Sequence, residues 1–176
     1  LKQAISERAG RSMPIHICST CGTSYPEAPE PPRHCRICDD ERQYVPPGGQ
    51  AWTTPERLGR GHANAWRQLE AGLFEIHTWP QFGIGQRALL LRTAGGNILW
   101  DCLALLDDAT EALIRSLGGL RAVAISHPHY YTCMQDWARR FDCPVHLHAA
   151  DSEWIMRPDP AVRLWQGETL DIADGV

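Results

Sequence analysis

The chain has 176 residues, 43% of them hydrophobic and 22% charged, with seven Trp, which is enough for one ordinary domain or for a small module plus one domain. A formal net charge of −4 gives no electrostatic case for a nucleic-acid or anionic-membrane partner. No run approaches the roughly 20 apolar residues that a spanning helix needs, and Leu1 to Ser12 lack the apolar core of a secretory signal, so the expected location is cytoplasmic.

Residues 1–14 are expected to be an unstructured leader. The first informative features are Cys18-Ser-Thr-Cys21 and Cys35-Arg-Ile-Cys38, two identical CxxC turns. Each such turn offers two thiolates, and two turns brought face to face make a closed tetrahedral Cys₄ site, which folds a segment and leaves no open position for chemistry. The Pro-rich stretch Tyr25–Pro32 between them forms neither helix nor central strand and serves as a connector. Disulfides compete for the same cysteines, but no secretory signal points to an oxidising compartment. Residues 15–46 therefore read as a zinc ribbon with a structural Zn²⁺ on Cys18, Cys21, Cys35 and Cys38, flanked by His16 and His34 as alternative ligands. Cys102, Cys133 and Cys143 stand singly and read as buried small residues.

Pro46-Pro-Gly-Gly49 marks a boundary. Thr54 followed by Pro55 carries helix-start chemistry, and a second helix is expected from about Ala63 to Glu70, closed by Gly72, so residues 47–72 form a helical connector. Leu73–Thr78 then alternates as a strand. Two apolar runs, Arg87–Arg92 and Asn97–Asp101, are joined by Ala94-Gly-Gly-Asn97 as a hairpin. No helix follows Gly83-Ile-Gly85, so a nucleotide-binding loop is not indicated. Asp108-Ala-Thr-Glu111 reads as a capping box for a helix bearing Leu113, Ile114 and Leu117, ended by Gly118-Gly119.

The apolar run Ala122–Ile125 reads as a buried strand that stops at His127-Pro-His129. Apolar residues at helical spacing follow: Met134, Trp137, Ala138 and Phe141. The histidines therefore occupy a loop at the carboxyl end of a strand, where open α/β sheets bind ligands. In an extended segment residues i and i+2 point the same way, so the two imidazoles are expected to face one point, with Pro128 stiffening the pair. A strand Pro144–His148 comes next, and His146 and His148 share one of its faces. A short helical turn from Asp151 and two strands, Val162–Trp165 and Glu168–Ile172, complete the chain.

The order from residue 73 to 176, with Ile98-Leu-Trp-Asp101, the helix Asp108–Leu117 and Ala124-Ile-Ser-His-Pro-His129, resembles the N-terminal half of the metallo-β-lactamase superfamily. The fold class expected is α/β: an N-terminal zinc ribbon followed by a partial metallo-β-lactamase-like αββα domain. The resemblance implies a metal-dependent hydrolase of a small-molecule substrate. His127 and His129 match the first two ligands of an HxHxDH loop. Tyr131 stands where that loop has Asp and Thr132 where it has its last His, which implies one active-site Zn²⁺ or Fe²⁺ rather than two. Tyr131 would either donate a hydrogen bond to a developing oxyanion or fill a vacated ligand position as an aromatic plug. The alternative to an enzyme is an interaction module, with the ribbon carried on a non-catalytic scaffold. Half a fold is also expected to be inactive alone. It would leave an apolar face around Leu89–Leu91, Ile98–Trp100 and Ala122–Ile125 uncovered, larger than the about 300–600 Å² usual on a monomer.

Overall fold

The structure is a computed structural model that describes residues 13–40, 45–173 and 176. Most of the expected leader, residues 41–44 of the expected ribbon, and Asp174-Gly175 lie outside the described residues. Near the N-terminus β1 (His16–Cys18) pairs antiparallel with β2 (Ser24–Tyr25) on one side and β3 (Trp52–Thr53) on the other. Helix α1 (Pro55–Gly61) follows, capped by Thr54, whose hydroxyl accepts from the Arg57 N–H at 3.3 Å. Ile17 of β1 packs with Leu58 of α1 and with Leu105, so the small sheet rests on the larger domain.

The larger sheet has seven strands. Running out from one edge, β4 (Ala63–Glu70), β5 (Leu73–Trp79), β6 (Arg87–Leu91) and β7 (Ile98–Trp100) are antiparallel neighbours. Beyond β7, the strands β8 (Ala122–Ala124), β9 (Val145–His148) and β10 (Val162–Trp165) continue in parallel. The parallel connections carry α2 (Asp108–Ser116) and α3 (Met134–Phe141). Their apolar stripes cover one sheet face: Ile114 from α2, and Met134, Trp137, Ala138 and Phe141 from α3, pack on Ile76, Ala88, Leu90, Leu99, Val123, Val145 and Leu147. Each large side chain fully buried here contributes roughly 1.5–3 kcal/mol. The Trp137 indole N–H keeps a partner in the core, donating to the Leu103 carbonyl at 3.0 Å.

Three expectations need correcting. The segment from about Ala63 to Glu70 is a strand, not a helix. Its composition favours a helix, but Gly72 at φ +80° closes a tight turn that pairs Glu70 with Leu73, and the hairpin then zips back to Ala63 opposite Trp79. Pairing and face burial override intrinsic propensity. The period-2 signal is present in hindsight: Trp66 packs against the core, and Asn64 bonds to Asp107, the Leu105 carbonyl and Thr110. Second, the cap of α2 is Asp107 rather than Asp108; its carboxylate accepts from the Thr110 N–H at 2.7 Å. Third, Glu168–Ile172 is not a strand. The chain there turns back, and Ile172, Ala173 and Val176 lie on Ile98, Ala122 and Ala124.

That return covers part of the face expected to be bare, since Ile98, Ala122 and Ala124 are buried. Trp100 on the same face remains 49% exposed, with Leu89 and Leu91 half-buried beside it.

At the end of α2, buried Asn97 donates its side-chain amide to the Leu117 carbonyl at 2.9 Å and the Gly119 carbonyl at 2.8 Å. Asn97→Leu keeps the volume and removes both donors. It should cost about 1–3 kcal/mol in urea denaturation, because two carbonyls lose their partner.

Candidate metal centre and histidine pocket

The two CxxC turns are built alike: the Gly22 N–H donates to the Cys18 carbonyl at 2.8 Å, and the Asp39 N–H to the Cys35 carbonyl at 2.9 Å. They face one another, so that the four sulfurs of Cys18, Cys21, Cys35 and Cys38 lie within 4.8 Å of one another, all buried. Cys18 and Cys38 sulfurs are 3.7 Å apart and those of Cys21 and Cys35 3.5 Å. These separations are far beyond a disulfide bond and close to the ~3.8 Å edge of a tetrahedron with metal–sulfur bonds of about 2.3 Å. The mutual contacts split the thiols: Cys21 holds the Cys18 thiol well down, and Cys18 in turn drives the Cys21 thiol well up. Four buried sulfur donors at tetrahedral separations fit a closed Cys₄ metal site. Tyr25 donates its hydroxyl to the Cys35 sulfur at 3.3 Å and Cys21 its thiol to Thr23 at 3.3 Å, a second layer around the sulfurs. The flanking histidines do not join them: His16 bonds the Ala28 carbonyl, and His34 is exposed near Asp39.

The histidine loop leaves the carboxyl end of β8. His127 is extended and caps a single 3₁₀ turn, Pro128–Tyr130, which brings the two rings together in a stack. Their centroids are 4.7 Å apart, their planes 10° from parallel, and their Nδ1 atoms 2.9 Å apart. The convergence thus comes from a tight turn, not from the extended i, i+2 geometry expected. One strand away, Asp101 ends β7 with φ +65° and accepts from Ser126, the residue before His127, through its N–H at 2.9 Å and its hydroxyl at 2.9 and 3.1 Å. Burial pushes the Asp101 carboxyl above its ordinary value, opposed by those Ser126 donors and by His127.

The rings open on a pocket of about 170 Å³ lined by Ile37, Asp40, His127, Pro128, His129, Asp151 and Trp154. Two of these, Ile37 and Asp40, come from the ribbon. Among the described residues no third His, Cys, Asp or Glu closes on the histidine pair in the way the four cysteines close on one another. The pair therefore brings two imidazoles together without a complete ligand set around them. Tyr131 is placed in the core, 3% exposed, with its hydroxyl 3.5 Å from the Asp151 carbonyl; burial raises its pKa. Thr132 is buried too. Cys133 donates to the Leu103 carbonyl as a core residue. His148 packs edge-on against Trp165, 4.7 Å between centroids, and His146 is half-buried on the same face. Asp40, Asp151 and Ser126 are site residues that motif reading passes over, because nothing local marks them.

No family model matches the chain. It is 45% identical over 166 residues to "Uncharacterized protein YmaE" of Bacillus subtilis (strain 168), an alignment taking in 93% of this chain. The chain spans 61% of the length of that curated relative. Among solved structures it is similar to a B3 metallo-β-lactamase with an active-site glutamic acid, at 17% identity and a TM-score of 0.48, over 67% of this chain and 52% of that one. It is also similar to a metallo-β-lactamase from Erythrobacter litoralis, at 20% identity and a TM-score of 0.36, over 49% and 40% of the two chains. Both likenesses are partial, and the functional reading rests on the site itself.

Cys35→Ser should remove one equivalent of metal per chain and the ordered circular-dichroism signal of the ribbon, while leaving the seven-stranded sheet folded. Asp101→Asn tests the buried carboxylate. Because its folded pKa is raised, the folded protein holds more protons than the unfolded one between the ordinary and the raised value. Stability from this group is therefore lost as pH rises through that window. The Asn variant keeps an acceptor for Ser126 and tolerates the left-handed backbone. It should be at least as stable at neutral pH and should lack that decline in a pH series of urea melts.

Proposed function

We propose that this chain carries the first metal ligands of a metal-dependent hydrolase of the metallo-β-lactamase superfamily, with a structural Zn²⁺ in the Cys₄ ribbon. His127 and His129 hold a single Zn²⁺ or Fe²⁺, and its remaining ligands come from outside the described residues. The observation that carries this reading is the stacked pair at the end of β8, its Nδ1 atoms 2.9 Å apart at the mouth of a pocket. When bound, such an ion supplies water of a pKa lowered from 15.7 toward about 7 and polarises the bond under attack.

The chain's own residues divide the remaining work. Asp101 fixes the start of the loop through Ser126, so that His127 leaves the strand in one direction. Ile37 and Trp154 give the pocket apolar wall against which a small molecule loses water. Asp40 and Asp151 place carboxylates on its lining, where they can hold a proton or orient a polar group of the substrate. The absence of any disulfide among the described residues suits a reducing compartment such as the cytoplasm, which we propose as the location.

Burial of Tyr131 and Thr132 favours a second reading, in which the ribbon is an interaction module on a scaffold without turnover. Metal content of the full-length protein separates the two. The hydrolase reading expects two metals per chain, one lost in His127→Ala and in His129→Ala together with turnover of generic ester, thioester or phosphodiester substrates. One metal per chain, unaffected by either substitution, would sink it. Tyr131→Phe then distinguishes plug from oxyanion donor: a plug keeps the rate, whereas a lost donor lowers it by roughly 10²–10³-fold.

A further inference from the structure

We infer that Gln86 is a positioning residue for the histidine loop, and that through it the state of the Cys₄ ribbon sets the geometry of the His127/His129 pair. Gln86 is buried, and its amide nitrogen donates to two carbonyls on opposite sides of a joint. One is Cys21, in the first CxxC turn, at 2.6 Å; the other is His129, in the histidine loop, at 2.9 Å. An amide NH₂ carries two protons, so both are committed.

The joint around it is tight. Gly22 has φ +80°, and a Cβ there would stand 3.3 Å from the Ala104 Cβ, 3.4 Å from the Thr132 Cγ2 and 3.5 Å from the Gln86 Nε2. The Thr132 carbonyl accepts from the Ser24 N–H at 2.9 Å and the Ser24 hydroxyl at 2.6 Å. The second CxxC turn grips the other side of the pocket. Arg36 pairs with the Glu153 carboxylate at 2.9 Å, donates to its carbonyl at 3.0 Å, and lies 5.2 Å over the Trp154 ring. The ribbon is thus fastened to the end of the histidine loop at Thr132 and to the turn Ala149–Trp154.

The consequence follows from metal-coupled folding. A CxxC turn is held closed by its ion, because binding the ion supplies much of the free energy that orders the site. Loss of the ion frees the Cys21 carbonyl, unlocks one of the two Gln86 bonds, and loosens the backbone that decides where the His129 ring stands against His127. The effect on activity rests on the reading of that pair as metal ligands; the placement of the rings does not.

The test uses this chain with one zinc per molecule and ¹⁵N-labelled histidine, observing the imidazole resonances at a single fixed pH. Wild type is compared with Gln86→Met, which keeps size and loses the donors, and with Asn97→Leu, which breaks a similar two-carbonyl clamp at the far end of the domain. Both variants should melt earlier. Only Gln86→Met should shift the His127 and His129 resonances and speed zinc transfer to a chromogenic chelator, by at least tenfold. Stripping zinc from wild type should move the same two resonances, and this arm stands even where the variant does not fold. Unmoved resonances in both arms, or an equal movement in Asn97→Leu, would overturn the inference. Wild-type resonances indifferent to added Zn²⁺ would instead defeat the metal-ligand reading and leave the positioning claim to be judged on the other arms.

Discussion

Four buried sulfurs within 4.8 Å of one another are the constraint on which the functional end of the molecule depends. The ribbon has little else to hold it. Ile17 and Ile37 are its main aliphatic contributions to buried clusters, and its strands are three and two residues long. A structural zinc in comparable peptides is worth about 10–16 kcal/mol at neutral pH, as much as the whole stability of a typical domain. Apolar burial by a few side chains does not approach that. A metal bound by these sulfurs would therefore hold the ribbon together, and everything that leans on the ribbon would inherit the dependence.

What leans on it is the end of a parallel sheet. The strands β7 and β8 deliver Asp101 and His127 to the same edge because they run side by side in the same direction, with Trp100 opposite Ala124. The Asp101 N–H donates to the Ala124 carbonyl at 2.8 Å and its carboxylate returns to Ser126, so two neighbouring strand ends are tied before either enters its loop. Helices α2 and α3 hold those strands from one face only, through Ile114 and Trp137. The half-exposed Trp100 lies on the other face, where the returning Ile172 and Val176 cover just part of the surface.

How much of this was legible in the sequence follows from how local each feature is. The CxxC turns and the histidine pair were readable because their chemistry lies within a few residues, and so was the sequence of β5 to β9. Strand β4 was misread because its residues favour helix and its evidence is a pairing partner. Gly72 looked like a helix stop and is a hairpin turn. The rest of the pocket lining was not legible. Asp40 and His127 are separated by most of the domain, and no spacing rule links them; only the docking of the ribbon brings them to one cavity. Gln86 was invisible for the same reason, being an ordinary polar residue until its two carbonyl partners are known.

The same docking fixes where residues 131 and 132 stand. Here Tyr131 and Thr132 are 3% and 1% exposed, Thr132 has φ +32°, and its carbonyl is occupied twice by Ser24 of the ribbon. A backbone turned inward to accept those bonds cannot also present its side chain to the pocket. The Thr132 methyl moreover lies 3.4 Å from where a Cβ on Gly22 would stand, so the two segments are closely packed. Seating the ribbon and presenting these side chains to the pocket are competing uses of one short segment. The burial of Tyr131 and Thr132 and a ribbon fastened to the histidine loop are therefore consequences of one local geometry.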